Sequence, residues 1–235
     1  MDNKPVAIDL YCGLGGWADG FLSEGYRVIG FDIEAHDYGT GGYPGELVLR
    51  DVRSIHGSEF KDAAVIVASP PCQAYSYRAM PWQRAKALPP PDNTLFEACF
   101  RIQREASEAA GRYIPLIVEN VRGAQPWVGR ARANFGSYYL WGDVGMVGRR
   151  VVAGDLRFGV SVAPVKAHLA AEGTKVSGDW FGSYAEMKAS GTISPGRLHG
   201  KNSPKRKAAS AQIAKIPFPL AQHIARVFKP AEVAR

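Results

Sequence analysis

Four short apolar runs, PVAIDLY, YRVIGFDIE, AAVIVASPP and IPLIVENV, each stop abruptly at polar, acidic or proline residues. Between the first two lies GGWADGFLSEG, with Trp17, Ala18, Phe21 and Leu22 at helical spacing and Gly25 as its stop signal. Before the fourth lies NTLFEACFRIQREASEAAGRY, where Leu95, Phe96, Cys99 and Ile102 share one helical face. Short continuous apolar runs suit strands covered on both sides. Strand, helix, strand in this rhythm predicts an α/β fold: an open, mostly parallel, doubly wound sheet with helices on both faces. GSYYLWGDV reads as a further strand. Such sheets bind ligands beyond the carboxyl ends of their strands. The unusual residues fall there: Asp9 to Gly16, Asp32, Ser69 to Gln73, and Glu119 with Asn120.

The regular pattern occupies residues 1–142 and predicts one catalytic and ligand-binding unit. Over 143–210 the periodicity degrades and Gly, Ser and charged residues become frequent, which predicts a small irregular module. Residues 211–235 recover helical order, with Leu220, Ile224 and Phe228 on one face, and are expected to return to the first sheet. From Met187 to Ala231 there is no acidic residue but nine Lys and Arg, so the net charge of +7 is carried entirely by this late segment. Its densest stretch, GRLHGKNSPKRKAA, reads either as a solvated loop or as an arm that touches phosphates through Lys205, Arg206 and Lys207.

Composition removes several classes. At 46% hydrophobic residues the chain is not disordered, and no apolar run reaches the roughly 18 residues that span a bilayer. Three cysteines, none in a CxxC pair, and five histidines without zinc spacing argue against a disulfide framework and a metal. A soluble, intracellular, monomeric protein is expected.

DLYCGLGG joins a strand to a helix, and its glycines permit close backbone approach to a ligand at unpaired helix N–H groups. Asp32, ending the next strand, suits ribose hydroxyls. Together they imply a nucleoside-containing cofactor without choosing between NAD and S-adenosylmethionine. In SPPCQ the two prolines fix the chain at a strand end and aim Cys72 outward, at a strand terminus read as electropositive, which suits a nucleophile. Nothing in SPPCQ or ENV serves hydride transfer.

With these motifs on the page, the chain resembles the cytosine-5 DNA methyltransferases. DLYCGLGG is similar to their cofactor loop, SPPCQ to their nucleophile motif, NTLF to their helix-opening motif and ENV to their acid motif, all in the family's order. The resemblance covers most of residues 6–121 and returns at 216–228, and the compactness is similar to that of bacteriophage-encoded members. It implies the S-adenosylmethionine-dependent methyltransferase fold, and a reaction in which Cys72 adds to carbon 6 of a flipped cytosine while Glu119 holds ring nitrogen 3. It further implies that Asp9, Tyr11, Gly13, Gly15, Trp17, Asp32, Ile33, Asp51, Pro70 and Leu95 form the cofactor site. Gln73, Asn120, Arg130 and Arg132 become candidates for the base or DNA, and double-stranded DNA the expected partner, in a bacterial or phage-infected cell.

Three departures stand beside the resemblance. The family's Gln-x-Arg-x-Arg strand is missing: VGRARA has the arginine spacing but lies close to ENV, and GSYYLWG has no arginine. The Gly-Asn pair before the last helix is replaced by Ala214 and Lys215. The recognition module is short. A tRNA-directed enzyme and an inactive DNA-binding relative are therefore the alternatives.

Overall fold

The computed structural model describes residues 4–39, 41–76, 88–144, 207–208, 211–212 and 214–230. Seven strands form one sheet: β1 (Val6–Leu10), β2 (Arg27–Asp32), β3 (Glu46–Leu49), β4 (Val65–Ala68), β5 (Leu116–Asn120), β6 (Ala133–Phe135) and β7 (Tyr138–Gly142). Their spatial order is β3-β2-β1-β4-β5-β7-β6. The first five run parallel, whereas β7 pairs antiparallel with β5 and β6 antiparallel with β7. The chain winds one way from β1 through β2 to β3 and the other way from β4 to β5. This reversal opens a crevice at the carboxyl ends of β1 and β4.

Alternation along each strand builds two cores. Ala7, Val28, Val65, Val67, Ile117 and Leu140 face helix α1 (Gly16–Ser23) and helix α3 (Phe218–Val227), meeting Trp17, Phe21, Leu220 and Ile224. Ile8, Leu10, Ile66, Ala68, Leu116 and Val118 face helix α2 (Thr94–Ala110), meeting Phe96, Cys99, Ile102 and Ala106. Each large buried side chain contributes roughly 1.5–3 kcal/mol over leaving it exposed. The C-terminal helix packs on α1: a Cβ at Gly20 would stand 2.4 Å from that of Ala221, so only glycine lets α1 and α3 approach so closely. The Tyr26 hydroxyl donates to the Ala225 carbonyl at 3.0 Å, tying α3 to the chain before β2.

The four apolar runs and GSYYLWGDV are strands as expected. Two strands went unanticipated. β3 is a largely exposed edge strand whose apolar run, Leu47 to Leu49, is only three residues long, and β6 has three residues, too few to show a period. Leu22 lies on the exposed side of α1, at 37% exposure. Most of the irregular module, and with it Lys205 and Arg206, lies outside the described residues; Lys207 is described and exposed. Among the described residues no helix is long and apolar enough to cross a membrane, and no group of His, Cys, Asp and Glu is placed to hold a metal ion.

Candidate active site

The turn after β1 forms one wall of the crevice. Tyr11 is held at φ 58°, a left-handed conformation that costs a non-glycine residue roughly 1–2 kcal/mol. Its hydroxyl donates to the Leu95 carbonyl at 2.8 Å, so the strained turn is tied to the start of α2. Gly13 is open: a Cβ there would meet nothing, and its N–H donates to Asp32 Oδ2 at 3.0 Å. Gly15, at φ +73°, is covered instead, because a Cβ would lie 2.3 Å from the Pro44 ring.

Asp32 closes the same wall. Its Oδ1 accepts from the Ile33 N–H at 2.8 Å, and His36 Nε2 stands 3.4 Å away. Ile33, 73% exposed, presents a bare apolar side chain next to it. Asp9 and Trp17 lie beneath the turn rather than on its open side, at 0% and 2% exposure. Asp9 Oδ2 accepts from the Tyr43 hydroxyl at 3.0 Å, while Oδ1 has no partner. Burial pushes the Asp9 carboxyl up to about 8, against the opposing hydrogen bond from Tyr43. Tyr43 was not anticipated. It belongs to a glycine- and proline-rich turn, and its ring fills the space above Gly30, where a Cβ would come within 2.4 Å.

The opposite wall is the segment leaving β4. Pro70 is buried, Pro71 and Gln73 are exposed, and Cys72 is partly exposed. Asn120, 1% exposed, donates through Nδ2 to the Pro70 carbonyl at 2.9 Å and accepts from the Val121 N–H at 2.8 Å. One buried amide thus fixes the nucleophile segment against the acid motif. The Cys72 carbonyl accepts from the Tyr75 N–H at 3.0 Å and the Ser76 hydroxyl at 2.9 Å, forming a tight turn. The Tyr75 hydroxyl donates to Asn93 Oδ1 at 2.9 Å, and a Cβ at Gly123 would collide with the Tyr75 carbonyl at 2.2 Å.

Glu119, next to last in β5, reaches into the same space. Ser69 Oγ accepts from Trp17 Nε1 at 3.0 Å and in turn hydrogen-bonds the Glu119 carboxyl. Although Glu119 keeps part of its surface open, the surrounding protein pushes its carboxyl up to about 8, the Ser69 bond opposing. The Cys72 thiol is also raised, first by burial and then by the Glu119 carboxylate, with the Ser76 hydrogen bond opposing. Among the described residues, the charged group that acts on the sulfur is an acid; Arg78, Arg84 and Lys86, which follow Cys72 in sequence, lie outside them. Tyr138, on β7, also feels Glu119: burial and that charge raise its phenol to about 12.

The remaining candidates fall outside this centre or at its rim. Leu95 is half-buried at the start of α2. Both Asp51 oxygens accept from the Arg53 guanidinium, the closest contact being 2.6 Å. Arg130 and Arg132 are exposed and precede β6, at the far edge of the sheet. Ala214 to Ile216, in place of the family's Gly-Asn pair, pass directly over the start of α1. A Cβ at Gly16 would stand 2.5 Å from the Ile216 nitrogen, and Lys215 Nζ pairs with Asp19 Oδ2 at 2.8 Å.

A family model described as C-5 cytosine-specific DNA methylase matches residues 6–126. The chain belongs to this family. The match takes in the glycine turn, Cys72 and Glu119, the residues that the two walls bring together. Methylases of this family use S-adenosylmethionine as methyl donor, and the crevice suits it. Ile33 would offer an apolar face to the adenine and Asp32 an acid to the ribose, while the open Gly13 leaves room for close backbone approach. Among solved structures, the S. pombe Dnmt2 methyltransferase is similar at 16% identity and TM-score 0.36, covering 52% of this chain and 36% of its own. The Entamoeba histolytica methyltransferase EhMeth is similar at 18% identity and TM-score 0.37, covering 54% of this chain and 41% of its own. The chain thus spans well under half the length of each. No curated protein sequence matches it.

Proposed function

We propose that this methylase transfers a methyl group to carbon 5 of a cytosine in duplex DNA, with Cys72 as covalent nucleophile and Glu119 as the acid that holds the ring. The observation that carries this reading is the convergence of Cys72 and Glu119, from separate strands, near enough for the carboxylate to raise the thiol.

Carbon 5 of cytosine is a weak nucleophile. Addition of the Cys72 sulfur to carbon 6 makes the ring an enamine and activates carbon 5. S-adenosylmethionine supplies the electrophilic methyl group. Glu119, with its carboxyl at about 8, carries a proton near neutral pH and donates it to ring nitrogen 3, where charge develops as the sulfur adds. A neutral Glu119 also removes the negative charge that disfavours a thiolate at Cys72. Asn120 and Ser76 act earlier, by holding the nucleophile segment in one geometry. After transfer, nitrogen 3 returns its proton to Glu119, and a water molecule takes the carbon 5 proton as the Cys72 sulfur leaves, which restores the aromatic ring. Because Cys72 and Glu119 sit inside a crevice, the target base has to leave the helical stack to reach them.

DNA is favoured over tRNA by the matched family's description. The test is transfer of labelled methyl groups from S-adenosylmethionine to unmethylated duplex DNA and, in parallel, to tRNA. Label on cytosine carbon 5 in the duplex is the expected result. Label in tRNA alone moves the substrate to RNA, and label in neither, with the cofactor bound, turns the chain into a binding relative.

A further inference from the structure

A second feature of the fold lies one strand beyond the acid motif. Arg122, Gln125, Arg130, Arg132, Asn134 and Tyr139 line a recess of about 470 Å³ on the outer edge of the sheet, and no acidic residue lines it. None of its three arginines pairs with a carboxylate among the described residues. Elsewhere Arg27, Arg50, Arg53, Arg101 and Arg226 are each neutralised, by Glu46, Glu59, Asp51, Glu105 and Glu24, whereas Arg104 and Arg112 also make no ion pair among the described residues. Three like charges gathered in one recess, with no carboxylate partner among the described residues, are unfavourable for folding. They form a receptor for a group that carries several acceptor oxygens.

The backbone that carries them is anchored. Gln125 Oε1 accepts from the Ala131 N–H at 3.2 Å, the Arg132 N–H donates to the Leu140 carbonyl at 2.9 Å, and Trp141 Nε1 donates to the Gly129 carbonyl at 2.9 Å. The backbone from which Arg130 and Arg132 project is therefore fixed. Its position is set by register. Asn120, which fixes the nucleophile segment, lies opposite Tyr139, and Tyr139 lies opposite Asn134, so the recess begins one strand from the catalytic motif. Ala133 and Phe135 pack with the core under α1 and α3, the face on which Glu119 and Leu140 also lie. Arg132 and Asn134 alternate to the other face, which turns Arg132 away from the base pocket.

We infer that this recess, anchored on Arg122, Arg130 and Arg132, is a phosphodiester-binding site that grips the substrate backbone beside the flipped nucleotide. The inference rests on the reading of the chain as a nucleic-acid methyltransferase. It assigns Arg130 and Arg132 to the backbone rather than the base, and adds Arg122.

The experiment measures binding of fluorescein-labelled duplex DNA, and separately of tRNA, across a salt series by the full chain. Wild type is compared with R122A/R130A/R132A and with R122K/R130K/R132K, and S-adenosylmethionine binding by calorimetry shows that each variant is folded. Each lost phosphate contact lowers the slope of log affinity against log salt by about 0.9 on B-DNA, or about 0.7 on single strands. The alanine variant is expected to lose about 2–3 from the slope and about 10–100-fold in affinity, with cofactor binding unchanged, while the lysine variant keeps most of the slope. A change on the duplex alone assigns the site to DNA, and a change on tRNA alone assigns it to RNA. Slopes unchanged on both, or a wild type that binds neither, overturn the inference. Should methyl transfer fail while the slopes still change, the catalytic reading falls and the phosphate site stands.

Discussion

Cys72→Ser lowers methyl transfer by roughly 10⁴-fold or more, the scale seen when an obligatory nucleophile is removed. A serine hydroxyl is far less acidic than a thiol and a weaker nucleophile towards carbon 6, and among the described residues no cation compensates. Burial already works against an anion at this position. The same substitution leaves the fold nearly untouched, within about 1 kcal/mol, because Cys72 is partly exposed and its loop is held through backbone carbonyls rather than through sulfur. The other two cysteines provide the contrast. Cys99 is fully buried against the sheet, its thiol directed at the Leu95 carbonyl, so Cys99→Ser costs stability before it costs chemistry. Cys12 is buried in the cofactor turn. Steady-state transfer and thermal melting, measured on Cys72→Ser and Cys99→Ser side by side, separate the two effects.

Glu119→Gln lowers the rate of transfer by about 10²–10³-fold with a smaller change in KM for DNA, since the amide donates a hydrogen bond but no proton. Its pH signature follows from the raised carboxyl. In wild type the acid form is lost as pH passes about 8, and activity falls with it. The variant lacks that descending limb. Stability changes with the same sign. The unfolded chain releases this proton near the usual 4.5, whereas the folded chain holds it to about 8. The contribution to stability is therefore complete below about 4.5 and is lost as pH rises through 8. Asp9, also raised to about 8, acts in the same direction. Melting temperature thus falls from mildly acidic to mildly alkaline pH in wild type, and falls less in Glu119→Gln, where Asp9 alone remains. A variant that keeps both the activity limb and the full decline in melting temperature removes Glu119 from the acid role.

The parts of the structure that rest on continuous apolar runs were readable from sequence. Runs such as AAVIVA and IPLIV have few alternatives to a buried strand, and Leu220 and Ile224 at helical spacing demand a surface to cover them. The motif residues were readable because prolines and glycines at strand ends constrain the backbone itself. What escaped was built from contacts between distant segments. Tyr43 looks like an ordinary turn tyrosine until β2 places Gly30 beneath it and β1 brings Asp9 to its hydroxyl. Ser69, between Trp17 and Glu119, has no sequence signal beyond adjoining the prolines. The influence of Glu119 on Cys72 escaped for a related reason, because it depends on the pairing of β4 with β5 and not on local sequence. Arg122 and Arg132 are apart in sequence, and only the short excursion back through β6 gathers them.

The most direct test of the account is covalent capture. Duplex DNA in which cytosines carry fluorine at carbon 5 is incubated with the full chain and S-adenosylmethionine, then denatured and analysed by mass spectrometry. Fluorine leaves no proton on carbon 5 to remove after methyl transfer, so the Cys72 sulfur cannot be expelled. The account predicts a protein–DNA adduct that survives denaturation, needs the methyl donor, and maps to the peptide containing Cys72. DNA binding without any adduct, or an adduct on Cys12 or Cys99, contradicts it.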